Sequence, residues 1–354
     1  MIPVMAPIGG LNFKDSVISM PISDAISAVN VLMRTSGVEL RPGWKQHVTG
    51  IVDTDLSTRV QTLMPYVATS GVLDNRLFAA VRRDVFNVTD STGVPVLAFT
   101  NANATGIWSH VMHSNTDDKM FLCAVNNGAG FYTYESIGGW VQRTLTGGPA
   151  NINNITSITS GKNRLWFTFE NNNSVWYLPI GAIAGALTQF PLGPLLTEGG
   201  VLQCAATWTK DSAGQDVKDL FVAFGKQGNV IVYEGSDPSS ASTWSLVGNW
   251  SLGRFPVGTN FFVKKGADLL ILSSRGITPL SAVLSGSYDV ETGGPISHKI
   301  NNELVKALTR DLDSFDWELR ILPRIDTLLV VQPKTSAGIH KQWAMSLTTS
   351  AWST

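Results

Sequence analysis

A stretch from Asp118 to Trp140, DKMFLCAVNNGAGFYTYESIGGW, carries the clearest structural pattern in the chain. It contains an apolar run, an Asn-Asn-Gly turn, an alternating aromatic-rich run and then Gly-Gly-Trp. Two such runs joined by a short Asn/Gly turn predict a β-hairpin that leads into a third strand. Because versions of the same pattern occur five more times, the hairpin belongs to a repeat.

Each repeat has an acidic or Asn residue, a run of apolar residues, a polar turn and a second alternating run. The six copies read DNRLFAAVRRDVFNVT, DKMFLCAVNNGAGFYTY, KNRLWFTFENNNSVWYL, KDLFVAFGKQGNVIVYEG, ADLLILSSRGITPL and DTLLVVQPKTSAGIHKQWAMSL. Their first apolar residues are Leu77, Met120, Leu165, Leu220, Leu269 and Leu328. Neighbouring copies are therefore 43 to 59 residues apart.

Weaker strand candidates flank each hairpin, for example Trp108–His113 before the second and Trp140–Leu145 after it. Four short antiparallel strands in each repeat of this length are typical of propeller blades. The second strand is almost continuously apolar, which predicts burial on both faces between neighbouring blades. The third strand alternates, which predicts a position nearer the solvent. The fold class predicted is all-β, a six-bladed β-propeller.

The sixth repeat leaves only Thr348 to Thr354 after its hairpin, room for one short strand. Upstream of the first blade, Val38–Leu40 and Trp44–Ile51 resemble strands. We therefore predict that an N-terminal strand completes the last blade and closes the propeller, which removes an exposed sheet edge. In this division residues 1–37 are an N-terminal arm and residues 38–354 are the propeller.

Two segments lie outside the repeat and carry helical patterns. Ile22 to Met33 predicts a short helix in the arm, with Ser23 as its N-cap. Between the fifth and sixth blades, at about 297–312, four apolar residues lie four positions apart and predict an inserted amphipathic helix. These residues are Ile300, Leu304, Leu308 and Leu312. The helix either packs across the base of the propeller or offers a contact to a partner.

Composition excludes several classes of protein. The 354 residues include 26 Lys and Arg against 27 Asp and Glu, which gives a net charge of −1. A protein that binds nucleic acid usually carries a clear excess of basic residues, and this chain does not. Cys123 and Cys204 lie in apolar runs, where cysteines are usually buried and free. The N-terminus has no basic region typical of a signal peptide, and no apolar stretch is long enough to cross a bilayer. We expect assembly in a reducing cytoplasm and no insertion into a membrane.

The sequence contains no motif for catalysis, a metal or a cofactor. His110 and His113 are three apart in a predicted strand, so their side chains point to opposite faces and cannot share an ion. No nucleophile elbow, dinucleotide loop or phosphate loop is present. We predict no enzymatic activity, no metal and no cofactor.

Two groups of carboxylates were candidates for glycosidase chemistry. They lie in a polar turn and after a predicted helix, where solvated carboxylates are the rule: Asp211, Asp216 and Asp219, and Asp311, Asp313 and Asp316. The turn from Ser236 to Trp244 is weakly similar to the Asp-box of sialidase propellers but lacks its glycine. We interpret it as a turn whose Asp and Ser side chains bond the local backbone, with Trp244 packed between blades.

Three longer stretches are distinctive: VELRPGW in the N-terminal region, YEGSDPSSASTWSLVG in the fourth repeat and AMSLTTSAW at the last blade. The first two are the most specific, and all three resemble a family of virion structural proteins from tailed bacteriophages. The resemblance covers most of the chain. These proteins are similar to the propeller-bearing nozzle or hub subunits that lie beneath the portal and adaptor of short-tailed phages.

The resemblance implies a structural tail component in the virion that forms part of the DNA ejection conduit. It implies a ring of this chain, expected to be a hexamer, that contacts the adaptor, the portal and other tail proteins. Viral DNA would pass through without sequence-specific contact. The expected assembly contacts on the arm are Leu11, Phe13 and Arg34, and those on the inserted helix are Lys299, Lys306 and Arg310. An equally simple alternative is that the arm only covers the base of its own propeller.

Two other functions stay open at this point. One is a carbohydrate-binding or glycan-active propeller on the virion, which would need carboxylates, arginines and aromatic residues that converge on one rim. The other is a monomeric scaffold for other proteins. Neither the ring stoichiometry nor the rim that faces the capsid follows from the sequence.

Overall fold

A computed structural model describes residues 6–43, 45–52, 59–69, 71, 74–210, 218–286, 295–334 and 340–354. The protein is all-β, with 45% strand and 7% helix, and its sheets have the arrangement of a six-bladed β-propeller. The chain divides into two compact units. One contains Lys45–Thr207 and Asp216–Asn249, and the other contains Met1–Trp44, Trp208–Gln215 and Trp250–Thr354. The predicted fold class is confirmed.

Short strands precede the first blade and form two small sheets of their own. They are β1 (Gly10–Leu11), which pairs in parallel with β2 (Asp24–Ala25), and β3 (Val31–Arg34), which pairs antiparallel with β4 (Gly37–Leu40).

The first four blades are four-stranded antiparallel sheets. The first blade has β5 (Thr62–Tyr66), β6 (Arg76–Val81), β7 (Asp84–Asn87) and β8 (Val96–Thr100), and the second has β9 (Ser109–Ser114), β10 (Met120–Asn126), β11 (Gly130–Glu135) and β12 (Gly139–Arg143). The third has β14 (Ile155–Gly161), β15 (Arg164–Phe169), β16 (Ser174–Tyr177) and β18 (Thr188–Pro191), beside a small parallel pair of β13 (Leu145–Thr146) and β17 (Gly185–Ala186). The fourth has β19 (Leu202–Lys210), β20 (Lys218–Gly225), β21 (Asn229–Gly235) and β22 (Trp244–Ser251).

The fifth blade has three strands among the described residues, followed by two helices. Its elements are β23 (Phe262–Lys265), β24 (Asp268–Ser273), β25 (Gly276–Pro279), α1 (Leu280–Leu284) and α2 (Asn301–Asp311). The sixth blade has β26 (Glu318–Leu322), β27 (Thr327–Val331), β28 (Gln342–Ser346) and β29 (Trp352–Ser353). Single turns of 3-10 helix occupy Gly193–Leu195 and Pro323–Ile325.

Strand β10 shows how the blades pack. Because successive side chains of a strand point to opposite faces, its apolar residues divide between two hydrophobic clusters. Phe121, Cys123 and Val125 pack with the third blade, and Leu122 and Ala124 pack with the first. The predicted burial of the second strand on both faces is confirmed. The third strand differs from its prediction, because Gly130 to Tyr134 are all buried and do not alternate with solvent.

The helix predicted at Ile22–Met33 is wrong. The segment contains β2 and the start of β3, and Asn30 has a left-handed backbone with φ of 56° that interrupts any helix. Its backbone groups bond instead to distant parts of the chain: Gly9 N donates to Ser23 O over 2.8 Å, and Asn12 N donates to Ala25 O over 3.0 Å. These tertiary hydrogen bonds outweigh the local helical pattern.

The prediction that an N-terminal strand completes the last blade is also wrong. All four strands of that blade come from residues 318–353, and β3 and β4 form a separate hairpin. Trp44 lies outside the described residues, and 45–52 contain no strand. The seven C-terminal residues suffice because a turn with Ser350 at φ 57° brings Trp352 back against β28. The arm still contacts this edge, since Thr354 N donates to Ala28 O over 2.9 Å and Asn30 N donates to Thr354 O over 2.6 Å.

The inserted amphipathic helix is confirmed as α2. Its predicted apolar stripe is buried, with Ile300, Leu304 and Leu308 fully inaccessible and Leu312 nearly so. The segment before the helix is attached to β25, because Ile296 N donates to Ile277 O and Ile277 N donates to the hydroxyl of Ser297. The short helix α1 was not predicted from the sequence.

Candidate assembly surface

The N-terminal arm docks on the start of helix α2. Phe13 N donates to Lys299 O over 2.7 Å, and Asn302 Nδ2 donates to Phe13 O over 2.9 Å. The side chain of Leu11 is buried. Leu11 and Phe13, predicted as contacts for a partner, therefore lie where the arm attaches to its own chain.

An ion pair holds the same junction together. Lys299 Nζ lies 3.0 Å from Asp24 Oδ1 and also donates to Gly9 O over 3.1 Å. The side chain of Asp24 is 1% exposed, and Asn12 Nδ2 donates to its second oxygen over 2.8 Å. Burying a polar group this deeply is costly unless it has such partners. The structure places the predicted residue Lys299 in this internal contact.

Arg34 fixes the β3–β4 hairpin to the sixth blade. Its Nε is 2.8 Å from Glu39 Oε2 across the hairpin, and its Nη1 donates to Ile325 O over 2.8 Å. The predicted residue Arg34 is therefore a link within the chain as well.

Lys306 and Arg310 lie on the outer face of α2. Lys306 is 75% exposed at its side chain and makes a 3.5 Å contact with Glu303, and Arg310 pairs with its neighbour Asp311 at 2.8 Å. The hydrogen bond from Arg310 lowers the pKa of Asp311, which also accepts from Gln332 Nε2 over 2.6 Å. Of the six predicted contact residues, these two present side chains largely to solvent.

The arm and the strand β4 that follows it carry a set of exposed apolar side chains, and three of them, Ile22, Ile26 and Val29, fall in the segment predicted as a helix. Ile18 is 98% exposed and Ile22 is 80% exposed. Scattered surface apolar residues are ordinary, whereas several on one short segment make that segment a candidate interaction surface. The set, called here the arm surface, comprises Val17, Ile18, Ile22, Ile26, Val29 and Leu40. The helical pattern in the sequence marked Ile22, Ile26 and Val29, whereas Val17, Ile18 and Leu40 lie outside it.

Among the described residues, the carboxylates considered for glycosidase chemistry have partners within the chain. Asp313 pairs with Arg254 at 2.7 Å, Asp311 with Arg310, and both Asp316 and Asp219 have partners. Asp211 and Asp216 lie outside the described residues. Within the described part of the chain, no group of three His, Cys, Asp or Glu side chains could hold a metal.

His113 and the two cysteines are buried between strands. His113 Nδ1 lies 2.9 Å from the Ser160 hydroxyl, which joins the first strands of the second and third blades. Burial lowers the pKa of His113. Cys123 and Cys204 are free and buried, as predicted, and burial raises the pKa of both thiols.

The turn from Ser236 to Trp244 is a local hydrogen-bonded structure, as predicted. Asp237 Oδ1 accepts from Ser239 N over 3.1 Å and from the Ser239 hydroxyl over 2.9 Å. The same oxygen lies 3.3 Å from Arg164 Nη2 on the third blade. These hydrogen bonds lower the pKa of Asp237, so the carboxylate stays charged and connects two blades.

Comparison with known proteins adds only likenesses of fold. No family model matches the chain, and no curated protein matches it. Among solved structures, the β-propeller domain of Cps50 (Swd1) from Myceliophteria thermophila has a TM-score of 0.48 and 10% identity over 84% of this chain and 87% of that one. A chain of the nidogen/laminin complex has a TM-score of 0.41 and 9% identity over 82% of this chain and 90% of that one. At such identities and scores the likenesses carry no argument about function.

Proposed function

We propose that the protein is a structural subunit of a phage tail, a ring component below the portal and adaptor that forms part of the DNA ejection conduit. The arm surface is the observation that carries this proposal, because a partner that covered Ile18 and Ile22 would remove their exposed apolar area from water. The resemblance of VELRPGW and YEGSDPSSASTWSLVG to tail proteins is the reason for proposing a phage tail as the assembly.

A ring of identical subunits uses a head-to-tail interface that closes on itself, and we propose six copies. The arm is suited to reach a neighbour or the adaptor, since its base is fixed to α2 by Lys299 while its apolar side chains stay in water. Lys306 and Arg310 on the outer face of α2 offer charged contacts beside it.

The near-neutral charge supports the role of a conduit. A strongly basic lumen would retain DNA through the release of counterions, whereas a net charge of −1 lets DNA slide without sequence-specific contact. Among the described residues, no helix is both long enough and apolar enough to cross a bilayer. The proposal places the protein in the virion, after assembly in the host cytoplasm, and gives it no catalytic role.

Native mass spectrometry or light scattering of the purified chain, alone and with the portal–adaptor complex, tests the proposal. We expect a ring of six subunits, either in isolation or on the adaptor. A chain that stays monomeric in both conditions would contradict the proposal.

A further inference from the structure

A pocket of about 230 Å³ lies at the junction of the second and third blades. Three of its lining residues are apolar, Phe131, Leu145 and Ile152. The other four are polar, Gln142, Arg143, Thr144 and Asn153. The volume is below the range of about 300–1,000 Å³ typical of pockets for drug-sized ligands, so it suits a ligand the size of one sugar ring.

Arg143, the last residue of β12, is held in a fixed orientation in this pocket. Its Nε donates to the hydroxyl of Thr133 over 2.7 Å, and Thr133 is itself buried. The guanidinium carbon lies 6.0 Å from the centre of the Phe121 ring. Arg143 has no other hydrogen bond and no ion pair within the described part of the chain, so both terminal nitrogens are available to a ligand.

Backbone groups bond to two of the polar lining residues. Gln142 Nε2 donates to Ala129 O over 3.2 Å. Gly128 N donates to Asn153 O over 3.0 Å and thereby ties the turn after β10 to the loop before β14. Gly130 has φ of +87°, and a Cβ there would lie 2.8 Å from Asn153 Oδ1. The pocket is therefore formed before any ligand arrives, which lowers the entropic cost of binding.

The charge of the pocket selects an anion. Among the described residues no carboxylate lines it, and Glu170 on the neighbouring loop accepts a hydrogen bond from Asn154 Nδ2 at 3.2 Å. A fixed guanidinium with two free nitrogens matches a carboxylate in bidentate geometry. The amides of Gln142 and Asn153 can exchange hydrogen bonds with hydroxyl groups.

We propose that this pocket binds an acidic sugar residue, with its carboxylate on Arg143 and its hydroxyls on the amides of Gln142 and Asn153. The proposal is independent of the ring function, because all the pocket residues belong to the unit of Lys45–Thr207 and Asp216–Asn249, which does not include the arm.

Ligand-observed NMR or calorimetry on the full chain tests it with D-galacturonate, D-galactose and acetate as probes. We expect D-galacturonate to bind with Kd of about 1 mM or tighter, and the neutral sugar and acetate to bind at least about tenfold more weakly. D-glucuronate, a second acidic sugar, tests whether the pocket recognises acidic sugars as a class rather than one epimer.

Two variants assign the binding to this pocket. Asn153→Asp places a carboxylate beside Arg143 at an exposed position, and Arg143→Met removes the cation. Both should weaken the binding of D-galacturonate by about tenfold or more. Arg320→Met in the sixth blade should leave this binding unchanged. Acetate that binds as tightly as D-galacturonate, binding unaffected by both variants, or no saturation well above about 1 mM would each overturn the proposal.

Discussion

Single aromatic residues join neighbouring blades of this protein. Trp244, at the start of β22, stacks on Tyr233 of its own blade with ring centroids 5.7 Å apart and planes at 10°. It also stacks on Trp166 of the third blade at 5.7 Å and 17°. Phe221 lies against the same ring at 6.0 Å. Large buried rings of this kind dominate packing energy, so one side chain stabilises the contact between two sheets.

We expect Trp244→Ala to lower the free energy of unfolding by about 3–5 kcal/mol, because it leaves a cavity in a buried aromatic cluster. Urea unfolding followed by circular dichroism measures the change. Ile137→Ala is the matched control, since Ile137 is 94% exposed and its loss should change stability by less than about 0.5 kcal/mol. Equal effects of the two substitutions would contradict the packing role of Trp244.

His113 makes the stability of the protein depend on pH. Burial lowers its pKa in the folded chain below the ordinary value of 6.5. Between the folded and the unfolded pKa, the unfolded chain binds more protons than the folded one, so stability falls as pH falls through 6.5. The dependence ends below the folded pKa, where both states are protonated. His298, whose pKa is also lowered by burial, adds an effect of the same sign.

We therefore expect His113→Gln to be less sensitive to acid than the parent chain. The measurement is the free energy of unfolding by urea at several pH values between 5 and 8 for both proteins. The loss of stability from pH 8 to pH 5 should be smaller in the variant, and the difference should develop below pH 6.5. Parallel curves over this range would show that His113 does not titrate differently in the folded state.

At the scale of elements, the arm and helix α2 depend on each other. The described part of the arm has two short pairs of strands, and it is held by contacts with α2 and with the last blade. Asp24, buried in the arm, needs Lys299 as its counter-charge. Helix α2 in turn buries Ile300, Leu304 and Leu308 against the protein and presents Lys306 to solvent.

We expect Lys299→Met to destabilise the protein by about 3–5 kcal/mol or to release the arm, because it leaves the carboxylate of Asp24 buried without a cation. Hydrogen exchange of residues 9–25 and limited proteolysis distinguish a released arm from global unfolding. Lys306→Met is the control, since its exposed pair with Glu303 contributes about 0–1 kcal/mol. Unchanged exchange in Lys299→Met would mean that the backbone hydrogen bonds alone hold the arm.

At the scale of the whole molecule, the repeated blade explains why the chain carries six similar hairpins. A blade such as the second has apolar residues on both faces of β10 and cannot bury them alone, so neighbouring blades must cover them. The arm surface, by contrast, has no such cover within the described residues, and assembly with other chains would supply it.

The paired substitution of Ile18→Asp and Ile22→Asp separates assembly from folding. Both side chains are exposed, so we expect the monomer to unfold at an unchanged temperature while the proposed ring, or the proposed binding to the adaptor, is lost. Light scattering measures assembly and thermal unfolding measures stability. Ile137→Asp is the control for a charge at an exposed apolar site. Normal assembly of the paired variant would exclude the arm surface as the interface.

The sequence by itself determined the six blades, the buried second strands such as β10, the free cysteines and helix α2. These features depend on local periodicity, which repeats along the chain and does not require knowledge of distant partners. The hydrogen-bonded turn at Asp237 was predicted for the same reason, because Asp and Ser bond the backbone within a few residues.

Only the tertiary structure decided how the N-terminal segment folds, how the last blade is completed and where the pocket at Arg143 forms. The helical pattern of Ile22–Met33 was overridden by hydrogen bonds to residues far away in sequence, such as that from Thr354 N to Ala28 O. The pocket likewise combines β12 of one blade with the loop before β14 of the next. Such features depend on long-range contacts whose register no local pattern specifies.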